Sequence, residues 1–150
     1  MKIAIATDHH GDTMKKEIIK YLSNKEYEVA DYSPDANVAS DYTDYAFKLA
    51  EAVRDNKVDR GILLCGTGIG MSIAANKVQN IRCAHVSNIN EAVLTREHNN
   101  ANIIALGTKM NLNEILKIID VFLCTEFSSE ERHARRLDKI SKYEKGEYNV

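Results

Sequence analysis

Residues 61–77, GILLCGTGIGMSIAANK, pass from a β-favouring apolar run through three glycines at alternate positions into small and apolar residues. This reads as a buried strand, a tight turn and a helix from Gly70 to Lys77, which is one βα unit. The same rhythm recurs on both sides. KIAIA (2–6) precedes a helical pattern from Asp12 to Ser23, and EVADY (28–32) precedes one from Thr43 to Asp55. RCAHV (82–86) is followed by Ile89 to Glu97, and NIIAL (102–106) by Leu112 to Cys124. Met14, Ile18 and Leu22 share one helical stripe, as do Ala46, Leu49, Ala50 and Val53, so each helix has one face for a sheet. Five βα repeats predict an α/β fold with a five-stranded parallel sheet covered on both faces. Asn88-x-x-Glu91, Asn111-x-x-Glu114 and Ser128-x-x-Glu131 have capping-box spacing, and the last predicts an extra C-terminal helix over about residues 129–144.

With 150 residues, 44% hydrophobic and 28% charged, the chain is expected to form one domain over residues 1–150. A net charge of −2, with lysines and arginines dispersed, supplies neither the field for nucleic-acid binding nor a polybasic membrane patch. No apolar run is long enough for a membrane span, and MKIAIATDHH reaches Asp and His too early for a signal-peptide core; a cytoplasmic protein is expected. Three cysteines without C-x-x-C spacing argue against a disulfide framework and a zinc site. The C-terminal helix carries Arg132, Arg135, Arg136, Lys139 and Lys142 against a narrow stripe of Leu137, Ile140 and Tyr143. It reads equally as a subunit contact or as a solvated terminal helix.

In open α/β sheets, ligands bind outside the carboxyl ends of the strands. There the sequence places Thr7, Asp8, His9, His10 and Gly11 after the first strand, Cys65 with GTGIG after the third, and Gly107, Thr108 and Lys109 after the fifth. The glycines do not follow the first strand in G-x-G-x-x-G spacing, lack the lysine of a P-loop, and do not flank a nucleophile as an elbow requires. What remains is a strand-end cysteine followed by a turn whose N–H groups can converge on an oxyanion. Those amides and the following helix favour a thiolate at Cys65, able to act as base or nucleophile. The bland alternative is a buried structural thiol, the reading given to Cys83 and Cys124.

His85, inside RCAHV, reads as an interior residue. His98 closes a polar cluster, Arg96-Glu97-His98-Asn99-Asn100, where the helix dipole alone would favour a cation. Lying between the fourth helix and the fifth strand, it belongs to the edge of the sheet opposite Cys65. If both serve one site, His98 comes from another subunit. Arg132 and Arg136 lie four apart on one helix face, either as a phosphate clamp or as a solvated charge run.

Taken together, D-H-x-G, D-Y-T at Tyr42, CGTGIGMSIAANK, REHNNAN and R-H-x-x-R resemble the type B ribose-5-phosphate isomerases, whose superfamily includes galactose-6-phosphate isomerase subunits. The resemblance runs from Met1 to about Tyr143. It implies Rossmann-like or flavodoxin-like αβα subunits in a homodimer or homotetramer. Their active sites would be shared between chains, need neither metal nor cofactor, and interconvert ribose 5-phosphate and ribulose 5-phosphate in the pentose phosphate pathway. By position, it implies that Cys65 moves a proton between C2 and C1 through a cis-enediolate held over the Gly66, Thr67, Gly68, Ile69 and Gly70 turn. Thr67 would assist, and His98 would open the sugar ring. Asp8 and Asn99 would hold hydroxyls, His9, Lys109, Arg132 and Arg136 the phosphate, and Tyr42 would line the pocket. Lys109 stands in place of a common Arg, Thr43 in place of a Pro and Asn100 in place of an Asp, and the loop around Pro34 lacks a D-x-G-T pattern. These departures bear on which sugar is preferred. A 6-phosphohexose or a free aldose such as allose is the alternative substrate, and a sugar-phosphate sensor the alternative to an enzyme.

Overall fold

The computed structural model describes residues 1–34 and 41–150, so most of the irregular stretch after Pro34 lies outside the described residues. In chain order the elements are β1 (Lys2–Thr7), α1 (Asp12–Asn24), β2 (Glu28–Asp31), α2 (Tyr42–Arg54), β3 (Arg60–Cys65) and α3 (Ile69–Ala75). They continue with β4 (Cys83–His85), α4 (Ile89–Glu97), β5 (Ile103–Gly107), α5 (Leu112–Cys124) and α6 (Glu131–Glu144). The five strands form one parallel sheet in the order β2-β1-β3-β5-β4. This is the expected α/β architecture. It differs from the flavodoxin order only in the exchange of the last two strands.

Strand alternation sorts the core into two layers. Ile3, Ile5, Ile62, Leu64, Ile104 and Leu106 point into the layer shared with α1, α4 and α5. Ala4, Ala6, Leu63, Cys65, Ile103 and Ala105 point into the layer shared with α2 and α3. The strands that read as continuous apolar runs are therefore those covered on both faces.

Capping follows the expected scheme in part. Asn88 accepts the Glu91 N–H at 2.9 Å, while the Glu91 carboxylate reaches back to the Ser87 N–H at 2.7 Å. Asn111 caps α5 by accepting from the Asn113 N–H at 2.8 Å. Ser128 does not cap α6: Ser129 has a positive φ of 56°, which keeps the chain out of the helix until Glu131, and Glu130 occupies the cap position. Among the described residues no helix is long and apolar enough to cross a membrane.

Candidate functional site

β3 is hydrogen-bonded to both β1 and β5, and the turns beyond those neighbours are tied to its last carbonyls. The Asp8 N–H donates to Leu64 O at 3.3 Å, and the Thr108 N–H donates to Cys65 O at 2.9 Å. Asp8, Cys65 and the Thr108–Lys109 turn are thereby brought to one edge, where the carboxyl-end rule places them.

Cys65 is buried at the end of β3, and the Gly68 N–H donates to its Sγ at 3.1 Å. The bond depends on Gly68, which caps α3 with φ 80° and ψ −18°, a left-handed conformation suited to glycine. The neighbours crowd the turn. A Cβ on Gly68 would lie 2.9 Å from His85 Cδ2, and a Cβ on Gly70 would lie 2.8 Å from the Tyr42 ring. Tyr42, at the start of α2, therefore packs against the glycine turn. A Cβ on Gly66 would meet nothing within 4 Å, so the turn is open there. Thr67 is exposed, its hydroxyl accepting the Ile69 N–H at 3.3 Å.

His85 is not the interior residue expected from its place in an apolar run. It is exposed, and its Nε2 lies 2.9 Å from the Thr67 carbonyl, bracing the glycine turn. β4 has only three residues and sits at the edge of the sheet, so its last side chain escapes the core. Cys124 is likewise exposed rather than a core thiol. Cys83 is the structural thiol it was read as, and burial pushes its pKa up to about 12.

At the end of β1, Asp8 is buried while His9 and His10 are exposed. The His10 N–H donates to Asp8 Oδ1 at 3.0 Å, and its Nδ1 lies 3.4 Å from Asp8 Oδ2. The His9 and His10 rings are 3.8 Å apart, and donor atoms of all three residues lie within 4.8 Å of one another, close enough to converge on a cation. The end of β1 also involves a group the sequence reading missed. Lys15 is fully buried, donates to Ser33 O at 2.6 Å and pairs with Asp31 at 2.9 Å, while Ser33 Oγ accepts the Thr7 N–H at 2.9 Å. Through Ser33 and Asp31 this ammonium ties the end of β1 to the end of β2. Its sequence signal was a lysine three and seven residues before Ile18 and Leu22, on their own stripe.

The remaining candidates gather at the opposite edge. His98 caps the end of α4, and the Asn99 and Asn100 carbonyls accept from Arg82, which precedes β4. Asn99 also lines a cleft of about 410 Å³ between β4 and the Leu137, Ile140 and Glu144 side of α6. His98 stacks on His133 of α6, ring centroids 4.2 Å apart at 14°. Arg132 is exposed and paired with Glu130 at 2.9 Å, and Arg136 is exposed on the same helix. From Gly61, level with the start of β5, to Cys65 is roughly 13 Å of strand at about 3.3 Å per residue. The candidate residues thus fall into two groups: Cys65, Thr67, Asp8, His9, Tyr42 and Lys109 at one edge, and His98, Asn99, Arg132 and Arg136 near the other.

A family model described as Ribose/Galactose Isomerase matches residues 3–140. The chain belongs to the ribose/galactose isomerase family. It is therefore an aldose–ketose isomerase. It is 47% identical over 146 residues to the putative sugar phosphate isomerase YwlF of Bacillus subtilis, covering 96% of this chain and 97% of the relative. Among solved structures it is similar to ribose-5-phosphate isomerase B of Clostridium thermocellum, with a TM-score of 0.94, 47% identity and coverage of 99% and 100%. The Mycoplasma genitalium ribose-5-phosphate isomerase B with bound ribulose-5-phosphate is also similar, with a TM-score of 0.91, 44% identity and 96% coverage of both chains.

Proposed function

We propose that the chain, as a single domain over residues 1–150, interconverts ribose 5-phosphate and ribulose 5-phosphate in the cytoplasm as a homodimer or homotetramer. The observation that carries the reading is the Gly68 N–H directed at Cys65 Sγ, 3.1 Å away, inside a turn of three glycines. The Cys65 thiolate takes the C2 proton of the open-chain aldose. The electron pair left on C2 forms the C1–C2 double bond while the carbonyl π pair moves to O1, giving a cis-enediolate. A proton passes from the C2 hydroxyl to O1; as the pair on O2 then forms the C2 carbonyl, the C1–C2 π pair takes the proton back from Cys65 at C1, giving the ketose. The turn from Gly66 to Gly70 supports the enediolate oxygens as a preformed anion site, with Ile69 contributing its amide and Thr67 its hydroxyl.

Before that step the furanose must open. His98 does this by taking the proton of the anomeric hydroxyl and returning one to the ring oxygen. Asp8 and Asn99 hold sugar hydroxyls, while His9, Lys109, Arg132 and Arg136 hold the phosphate and Tyr42 closes one wall. Because the two groups lie at opposite edges of the sheet, one complete site takes residues from two chains.

Cys65→Ala tests the reading. The variant should lose about 10²–10⁴ in kcat, as removal of a general base does, with unchanged circular dichroism. In D₂O the parent enzyme should introduce deuterium at C2 of the aldose, and the variant should not. Near-normal turnover by the variant across phosphopentoses, 6-phosphohexoses and free aldoses would defeat the assignment.

A further inference from the structure

α6 is almost wholly exposed, with one exception. His133 is its single buried residue, 4% exposed, and its ring lies parallel to that of His98 at 4.2 Å. The pair is held from both sides. The Arg96 side chain donates to Thr125 O at 3.1 Å and the Ser128 N–H donates to Glu97 O at 3.1 Å, tying the segment before α6 to the end of α4. The His98 N–H donates to Leu94 O at 2.9 Å, and the His133 N–H to Glu130 O at 2.9 Å. Both backbones are fixed before the rings meet.

Packing alone does not account for a histidine here. His133 Nε2 is buried without a hydrogen-bond partner among the described residues, and Glu130 is 4.0 Å away. A leucine would fill the place without burying an unpartnered nitrogen. What it lacks, and an aromatic ring supplies, is a flat face for His98 to stack on. Burial first, then His98, Arg132 and Arg136, lower the pKa of His133, with Glu130 opposing them. The ring facing His98 is thereby held towards its neutral form, so the stack does not set a positive charge against it.

We propose that His133 is a positioning residue for ring opening, fixing the plane of His98 by stacking on it from α6. The two rings travel together into whichever site they serve, since both belong to one chain. This rests on the isomerase reading and on the ring-opening role of His98.

The chemistry of the two sugars separates ring opening from proton transfer. Ribose 5-phosphate is a closed furanose and must be opened. Ribulose 5-phosphate carries its phosphate on the hydroxyl that would close a five-membered ring, so it is acyclic. Exchange of its C1 hydrogen with D₂O therefore needs Cys65 and the glycine turn but no ring opening. His133→Leu keeps the bulk and burial without a ring face, and His133→Phe keeps the ring without its nitrogens. His133→Leu should lower aldose-to-ketose kcat at least tenfold while C1 exchange into ribulose 5-phosphate stays within about twofold of the parent. His133→Phe should recover most of the lost turnover.

The proposal is overturned if His133→Leu leaves aldose turnover unchanged, if it lowers turnover and exchange together, or if His133→Phe is no better than His133→Leu. Absence of exchange in the parent enzyme would instead defeat the isomerase reading itself.

Discussion

Gly68 joins conformation to chemistry in one residue. Its φ of 80° turns its own amide onto Cys65 Sγ, and a Cβ there would lie 2.9 Å from Leu106 C and 3.1 Å from Gly107 N, backbone atoms held in the sheet. Gly68→Ala should cost at least about 1–2 kcal/mol from the left-handed conformation alone. Relief of the contact would also swing the amide away from the sulfur. The expected outcome is a lower urea midpoint and a fall in kcat larger than the change in KM. An alanine variant with parental kcat would show that the amide contributes nothing to the reaction. At this scale the sequence was legible where an unusual spacing pointed to a turn, and illegible where a side chain's surroundings depended on a distant strand. Cys65 was separated from Cys83 and Cys124 by the glycines that follow it. The exposure of His85 and Cys124 could not be read locally, since one depends on how short β4 is and the other on how α5 meets its neighbours.

α6 depends on solution conditions, because its single buried side chain is ionisable. His133 binds a proton less readily folded than in an unfolded chain, where histidine titrates near about 6.5. Stability from its burial is therefore fully present above about pH 6.5 and lost as pH falls through the lower folded value. Amide exchange across residues 131–144 should show steady protection above that pH and declining protection below it, with the decline abolished in His133→Leu. A profile that is flat, or that loosens towards high pH, would contradict this. α6 was foreseen from its charge pattern and apolar stripe, but its start was placed too early, because Ser128-x-x-Glu131 satisfies a capping pattern that the positive φ of Ser129 rules out. The strands were legible because a covered parallel sheet requires unbroken apolar runs. The order of β4 and β5 was not, since pairing partners in parallel sheets lie far apart in sequence and leave no local mark.

In the whole molecule the candidate residues lie at two edges separated by the length of the strands, and this was legible once the βα rhythm assigned each connection to an edge. It leads to a direct expectation for mixed assemblies. Cys65→Ala and His98→Ala, each inactive alone, should recover part of the parental turnover after subunit exchange, because a mixed dimer contains one site with both groups intact. Mass spectrometry would verify that heterodimers had formed. Their inactivity would mean that the two edges do not combine across chains.

The sheet's two faces also divide the molecule's tolerance of change. On one, paired isoleucines and leucines fill the space beneath α1, α4 and α5. On the other, Ala4, Ala6 and Ala105 let α2 and α3 lie close, and Gly61 meets Leu49 so closely that a Cβ there would lie 2.5 Å from a side-chain methyl. Trimming the larger residues removes buried volume and weakens the fold, while the catalytic edge keeps its shape. Enlarging the alanines pushes α2 and α3 outward, carrying Tyr42 and the glycine turn with them. Mutational drift on the first face is thus paid in melting temperature, and on the second in the placement of Tyr42 and the glycine turn beside Cys65.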